Sequence, residues 1–246
     1  MSKEDLNAVS SQYKPNAVTE IENDLILHWY PKRILSRFNH ADSLLELGLG
    51  HGYTAELFSK ATNNHVIVDG ASSVIDQFKK KHPSFSGELV LDYFETFTPR
   101  NFFDVIVMGF VLEHVDDPVL ILKRYRKFLK PKGKLYVAVP NGKSMNRRMG
   151  LALGLIDDIY SLNDNDLLLG HKRQYCLETL KKDLKKSGYG VSHEEGIYLK
   201  PLPLATLKTL PNFKENLNAM CEVGIEFPEL CVGLLIEASP EWVTLE

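Results

Sequence analysis

The sequence predicts an α/β fold in which helices cover both faces of a mostly parallel, doubly wound sheet, and three observations carry that prediction. The first is Leu44-Leu45-Glu46-Leu47-Gly48-Leu49-Gly50-His51-Gly52-Tyr53, an apolar run that stops in glycines on alternate positions before helical spacing begins at Thr54, Ala55, Leu57 and Phe58. Unbroken apolar character suits a parallel strand buried on both faces, and glycine lets the turn after it reach φ > 0 and lets a ligand approach the backbone. The second is the recurrence of short apolar runs in alternation with helical segments, the order that builds parallel crossovers. The third is that the first three strands end at or beside an acid: Glu46, Asp69 and Asp92.

Residues 1–40 show helical spacing in Ile21, Leu25, Ile26, Trp29 and Ile34, with Pro31 expected to interrupt it. After the glycine turn and its helix, His65-Val66-Ile67-Val68-Asp69 reads as the second strand. Ala71 to Lys81 reads as a helix with Val74, Ile75 and Phe78 on one face, stopped by His82-Pro83. Strands are expected at residues 87–92 and 102–108, then a basic amphipathic helix from Val119 to Lys130, a turn at Pro131-Lys132-Gly133, and a fifth strand to Asn141. Residues 142–170 form an insertion on the carboxyl side of the sheet, placed to roof a substrate or to make a subunit contact. A helix through Leu177, Leu180 and Leu184 follows, then a sixth strand over 191–199 and a seventh over 230–238. Residues 200–227 between these strands are broken by prolines and expected to be helical over 205–210 and 216–223.

The 246 residues with 44% hydrophobic content suit one large domain. No apolar run approaches the length of a membrane span, and Lys3, Glu4 and Asp5 stand where a leader would need other residues, so a cytoplasmic protein is expected. Cys176, Cys221 and Cys231 lack the spacing of a disulfide framework or a zinc site, and no metal is expected. A net charge of -3 argues against a surface that tracks nucleic acid. The basic run Lys123 to Lys134 reads as a solvated helix face.

Spacing narrows what the glycine turn binds. A dinucleotide fingerprint needs its third glycine where Tyr53 stands, and no Gly-Lys-Ser/Thr follows to make a phosphate loop. Asp69, closing the second strand at the crevice beyond the strands' carboxyl ends, can accept hydrogen bonds from a pair of ribose hydroxyls.

The stretch Glu46-Leu47-Gly48-Leu49-Gly50-His51-Gly52 resembles motif I of the class I S-adenosylmethionine-dependent methyltransferases. Gly109-Phe110-Val111-Leu112-Glu113-His114-Val115-Asp116-Asp117-Pro118 resembles the segment after the fourth strand in the ubiquinone-type and related small-molecule group. Lys130-Pro131-Lys132-Gly133 with Val139-Pro140-Asn141, and Gly170-His171-Lys172-Arg173-Gln174-Tyr175, are similar to later segments of the same group. The resemblance is strong from Leu44 to Asn141 and matches in outline beyond it.

That resemblance implies a Rossmann-like methyltransferase fold of seven strands with an antiparallel last strand, and an N-terminal helical lid. The cofactor would be S-adenosylmethionine. Glu46 would face its methionine moiety, with Gly48, Gly50, Gly52, Asp69, Gly70 and Phe110 around it. Asp92 and the Tyr93 amide would meet the adenine, and Tyr13 would come from the lid. His114 and His171 are the candidate bases, because a histidine of near-neutral pKa can take a proton from a hydroxyl acceptor; Tyr175 and Tyr198 are candidate substrate contacts.

The implied activity is methyl transfer to a hydroxyl, or less favourably an amine, of a small molecule such as a quinone precursor, a sugar or a secondary metabolite. The small-molecule acceptor is the expected partner, nucleic acid and membrane are not, and a homodimer is allowed. Two alternatives stand beside it: a tRNA-modifying methyltransferase using the lysines of Lys123 to Lys134 and Lys181 to Lys186, and a non-catalytic cofactor-binding regulatory module. The Asn/Asp-Pro-Pro-aromatic signature of base amino-methylation is absent, and the cysteine nearest the fourth strand that could serve C5 methylation is Cys176.

Overall fold

The computed structural model describes residues 19–38 and 41–241. Its seven strands are β1 (Ala41–Leu47), β2 (Thr62–Asp69), β3 (Glu88–Leu91), β4 (Phe103–Gly109), β5 (Leu129–Pro140), β6 (Tyr189–Ile197) and β7 (Gly233–Pro240), in the sheet order β3-β2-β1-β4-β5-β7-β6. Pairing is parallel throughout except that β7 runs antiparallel to both β5 and β6. The chain winds outward from β1 to β3, then crosses back to β4 and winds the other way. The crevice therefore opens where β1 and β4 lie side by side, with Leu47 opposite Met108.

Alternate residues of the central strands serve opposite faces, as a pleated strand demands. Leu45, Leu47, Ile106, Met108, Val137 and Val139 pack with Ile121, Leu122 and Tyr125 of α4 (Pro118–Arg126) and with Leu180 and Leu184 of α7 (Leu177–Lys186). Leu44, Val105, Val107, Tyr136 and Ala138 pack on the other side. Their partners there are Tyr30 and Ile34 of α1 (Thr19–Leu35), Phe58 of α2 (Tyr53–Lys60), and Leu217 and Cys221 of α9 (Phe213–Gly224). The remaining helices are α3 (Ser72–Lys81), α5 (Met145–Ala152), α6 (Asp164–Leu168) and α8 (Leu204–Leu207). All three cysteines are buried and free, and among the described residues no helix is long and apolar enough to cross a membrane.

Two local expectations are corrected. Pro31 does not interrupt α1, which runs continuously through it. Tyr30 and Ile34, on either side of the proline, are both buried in one core, and Arg33 forms a two-bond ion pair with the buried Glu195 at 2.7 and 2.9 Å. Tertiary packing thus outweighs the lost helical hydrogen bond. The helix after β4 stops at Arg126 instead of Lys130, because the Phe103 amide bonds to the Phe128 carbonyl at 2.8 Å and Leu129 pairs with Phe103 in the sheet. The chain re-enters the sheet before Pro131, and the residues up to Lys134 form a bulge.

The described part of the N-terminal segment is a packed layer of the fold. Arg37 reaches Glu237 at 2.6 Å, and Lys134, Tyr136 and Ser192 meet the same carboxylate at 2.7, 3.1 and 2.8 Å. Burial opposes the charge on Glu237, yet these donors outweigh it and pull the carboxyl down to about 2.

The turn after β1 has a testable steric signature. Gly52 has φ +77° and a Cβ there would stand 2.5 Å from the Phe78 ring, whereas Gly154 has φ +69° and nothing within 4 Å. Left-handed backbone costs a non-glycine residue about 1–2 kcal/mol, and Gly52→Ala adds a core collision to that. We expect thermal or urea unfolding to show Gly52→Ala clearly more destabilised than Gly154→Ala; equal losses would remove Phe78 as the constraint.

Candidate functional site

The site is built on the carboxyl ends of β1, β2, β3 and β4. Gly48, Gly50 and Gly52 all have positive φ, at 81°, 50° and 77°, so each glycine of the turn stands where an L side chain is strained. The Gly48 amide continues the ladder to Val68 at 2.8 Å and the Gly52 amide closes the turn onto the Leu49 carbonyl at 2.8 Å. A Cβ at Gly48 would touch Val111 and Phe94, whereas one at Gly50 would have nothing within 4 Å. The turn thus contacts the loops after β3 and β4 on one side and leaves backbone open at Gly50.

Asp69 is the clasp of this turn. Its carboxylate accepts the Leu49 amide at 2.8 Å and the Ala71 amide at 2.7 Å. Burial pushes its carboxyl upward, opposed by those amides and by that of Gly50. A carboxylate has about four acceptor positions, so these amides fix the group and still leave acceptor capacity beside them. Gly70 follows at the same edge. Asp92 accepts the Tyr93 amide at 2.8 Å and the Thr96 hydroxyl at 2.7 Å. The Tyr93 amide, expected to meet an adenine nitrogen, is therefore engaged by its neighbour's side chain.

Glu46 lies deeper than expected. It shares a sheet face with His65, and its carboxylate accepts the Thr54 hydroxyl and meets His65 Nε2 at 3.1 Å. This buried network braces β1 against α2 and β2 and turns the Glu46 carboxylate toward protein. Among the described residues, Tyr30 is the tyrosine of the N-terminal segment that reaches this region. It is almost fully buried, a Cβ on Gly109 would collide with its hydroxyl, and its ring meets Phe110 edge-on at 5.6 Å. Burial and the nearby Glu46 raise its pKa. Phe110 itself has φ +57°, a strained backbone position at the end of β4. Tyr13 lies outside the described residues.

After Phe110 the chain delivers Glu113 and His114, and the insertion returns His171 to them. The Lys172 amide bonds to the Glu113 carbonyl at 2.8 Å. Arg173 donates to the carbonyls of Leu112, Val115 and Asp116, and Lys172 pairs with Asp116. These bonds stitch the two segments together. The rings of His114 and His171 meet edge-on at 4.8 Å. One ligand atom from each of Glu113, His114 and His171 lies within 4.8 Å of the others, although no hydrogen bond joins Glu113 to either ring.

Glu113 is fully buried and neither oxygen of its carboxylate meets a hydrogen-bond donor among the described residues. Burial raises its carboxyl to about 7, with His171 and Arg173 opposing. His114 moves the other way, lowered to about 4 by burial and then by His171. Environments that separate the proton affinities of neighbouring groups in a cleft mark a candidate site of acid–base chemistry.

Two expected substrate contacts are corrected. Tyr175 is buried in the core beneath α4 and α7, with its hydroxyl on Asp183 at 3.3 Å. Tyr198, just past β6, is wholly buried in the opposite core, at φ +61°. Both lie inside because the segments that carry them pair with β5 and β7 before any open surface is reached. Sequence reasoning missed Tyr30, whose helical spacing marks it only as core, and Asp166, which holds His171 Nδ1 at 3.1 Å. The one sequence sign of Asp166 is Asn163-x-x-Asp166, a capping-box pattern.

A family model described as a methyltransferase domain matches residues 21–194. The ubiquinone biosynthesis O-methyltransferase of Actinobacillus pleuropneumoniae serotype 7 (strain AP76) is 34% identical over 109 residues, covering 40% of this chain and 45% of that protein. The protein of the same name from Nitrobacter winogradskyi is 27% identical over 164 residues, covering 64% and 60%. The chain thus matches less than two thirds of the length of these relatives. Among solved structures, the N-methyltransferase NodS from Bradyrhizobium japonicum WM9, in complex with S-adenosyl-L-homocysteine, is similar at a TM-score of 0.61 and 15% identity, covering 96% of this chain and 100% of that one. The complex between the Haloferax volcanii Trm112 methyltransferase activator and the putative methyltransferase gives a TM-score of 0.66 at 14% identity, with both chains fully covered. At such identities the likeness is one of fold. A match spanning most of the chain, on a sheet of this order with this glycine turn, establishes that the chain belongs to the methyltransferase-domain family.

Proposed function

We propose that this protein is an S-adenosylmethionine-dependent methyltransferase that methylates a hydroxyl of a small molecule, with Glu113, His114 and His171 handling the acceptor's proton. One observation carries the choice of a hydroxyl: a buried carboxylate that meets no donor among the described residues and two imidazoles converge at the end of β4, next to the strand whose turn bares its backbone. An amine acceptor needs only to be held uncharged, whereas a hydroxyl must lose a proton, and this cluster is equipped to receive one. The bound cofactor supplies a methyl group already electrophilic on its sulfonium.

The residues present fit that cofactor. Open backbone at Gly50 and the fixed carboxylate of Asp69 suit a ribose-bearing ligand, and the free acceptor capacity of Asp92 suits an amino group beside it. The chain's part in catalysis is to hold the acceptor in line, exclude water and take its proton. Names of the relatives, which are ubiquinone biosynthesis O-methyltransferases, agree with a hydroxyl-bearing ring as acceptor. The tRNA reading is weakened where part of the basic stretch is engaged by the molecule itself, while Lys123, Lys127 and Lys132 stay exposed. Arg124 binds the carbonyls of Thr96 and Phe97, Lys130 pairs with Asp104 and Lys134 with Glu237.

Calorimetry tests the cofactor reading. S-adenosylmethionine and its demethylated product should bind and NAD should not, and Asp69→Ala should weaken binding by about 1.5–3 kcal/mol, the worth of hydrogen bonds to a charged group. Binding of NAD in place of S-adenosylmethionine would overturn it.

The pH dependence tests the proton reading. His114 is neutral across the physiological range, so the limb expected of a near-neutral histidine belongs instead to the cluster around Glu113. Activity should rise with pH through about 7, and Glu113→Gln should abolish that limb. His171→Ala should lower the rate by roughly 10²–10⁴-fold, the usual span of general acid–base catalysis, with cofactor affinity kept. Stability gives a second reading. The folded carboxyl is raised above its ordinary 4.5, so its contribution is complete below that value and is lost as pH rises through about 7. The Tm advantage of Glu113→Gln over the wild type should therefore grow as pH rises from about 4.5 to about 7 and level off above that; an advantage independent of pH would refute the assigned shift.

A further inference from the structure

His171 is held by a carboxylate that stands outside the chemistry assigned so far. Asp166 is the third residue of α6, in the insertion after β5. Its Oδ1 lies 3.1 Å from His171 Nδ1, and its Oδ2 accepts the Asn163 amide at 3.0 Å and the Gln174 side-chain amide at 3.0 Å. The His171 amide also bonds to the Asp166 carbonyl at 2.9 Å. The carboxylate is thus clamped on both oxygens and the imidazole is tied to it at ring and backbone. Side-chain exposure is 12% for Asp166 and 10% for His171, so solvent competes little with the bond between them.

We propose that Asp166 is a positioning residue for the transferred proton: its carboxylate accepts the Nδ1–H of His171 and so fixes Nε2 as the lone-pair nitrogen that takes the acceptor's proton. Which imidazole nitrogen carries the proton is set by the hydrogen bond that the other makes, and a buried carboxylate on Nδ1 also stabilises the imidazolium once it forms. This inference rests on hydroxyl methylation as the reaction. As the oxygen–methyl bond forms, the acceptor's hydroxyl proton passes to His171 Nε2, and the electron pair of the broken carbon–sulfur bond stays on sulfur.

The charged surroundings favour this order. Lys172 is paired with Asp116, Arg173 is held by three backbone carbonyls, and Arg147 is held by the carbonyls of Ile159 and Ser161. His114 is neutral, and Glu113 is the remaining acid that faces the ring. Burial works against charge on Asp166, but the bonds from His171 and the Asn163 amide outweigh it and keep its carboxyl below the ordinary range. The insertion therefore supplies a charged orienter to a base carried on the segment that leads back from it into the fold.

The test reads the tautomer directly, in the free protein, by ¹⁵N NMR of the histidine ring with His171→Asn for assignment. Wild-type His171 should be the Nδ1–H form, and Asp166→Asn or Asp166→Ala should shift it toward the Nε2–H form. In the same variants kcat should fall at least tenfold, as part of the roughly 10²–10⁴-fold contribution of a general base, while KM and cofactor affinity hold. Asp166→Glu should restore part of the rate. Gln174→Leu, which removes a different partner of Asp166, should lower Tm but keep the tautomer and the pH limb. An Nε2–H ring in the wild type would overturn the inference, as would Asp166 variants that lose rate only in step with Tm. A stoichiometric divalent ion in the purified protein, lost in His171→Asn, would also overturn it by making the pair a cation support. Failure to methylate any hydroxyl would count against the reaction and leave the tautomer result standing on its own.

Discussion

The turn at the end of β1 is the constraint on which the rest depends. Three left-handed glycines fold the chain back within five residues, and that geometry survives because Asp69 draws the Leu49 and Ala71 amides onto one carboxylate. The same bonds that hold the turn place the acid at its mouth. Behind it, Thr54 and His65 take up the Glu46 carboxylate, so the buried acid of β1 braces the turn from below. A buried carboxylate so placed needs partners, and the fold supplies them from the helix and the strand that flank it.

The second half of the site depends on a long-range closure. Residues 112–116 follow β4 and residues 170–173 end the insertion, and the two are joined chiefly by backbone carbonyls that accept from Arg173 and from the Lys172 amide. Bonds of this kind are insensitive to side-chain identity on the accepting strand, and they bring His171 against His114. Burial then separates the proton affinities of Glu113 and His114 in opposite directions, because removal from water disfavours the anion of one and the cation of the other. The electrostatics of the site follow from packing and owe little to the small net charge of the chain.

The two kinds of legibility differ in their physical origin. The strand, turn and helix order was readable because buried strands, helix faces and glycine turns are short-range patterns, repeated within a few residues. Pro31 and the early end of α4 depart from the local pattern for the opposite reason: Tyr30, Ile34 and Leu129 gain more from contacts with distant strands than the local chain loses. Tyr175 and Tyr198 were misplaced because a tyrosine near a strand end looks the same in sequence whether it faces a pocket or a core.

By itself the sequence determined the doubly wound class, the glycine turn, the acids at three strand ends and the candidacy of His114 and His171, all properties of local residue order. Only the tertiary structure decided that Glu46 is internal, that Glu113 is a buried acid meeting no donor among the described residues, that Tyr30 packs against Gly109 and Phe110 at the end of β4, and that Asp166 meets His171. Those facts depend on which distant segments meet and on how much water their meeting excludes. A carboxylate's role is set by its neighbours and its burial, and neither is written in the residues beside it.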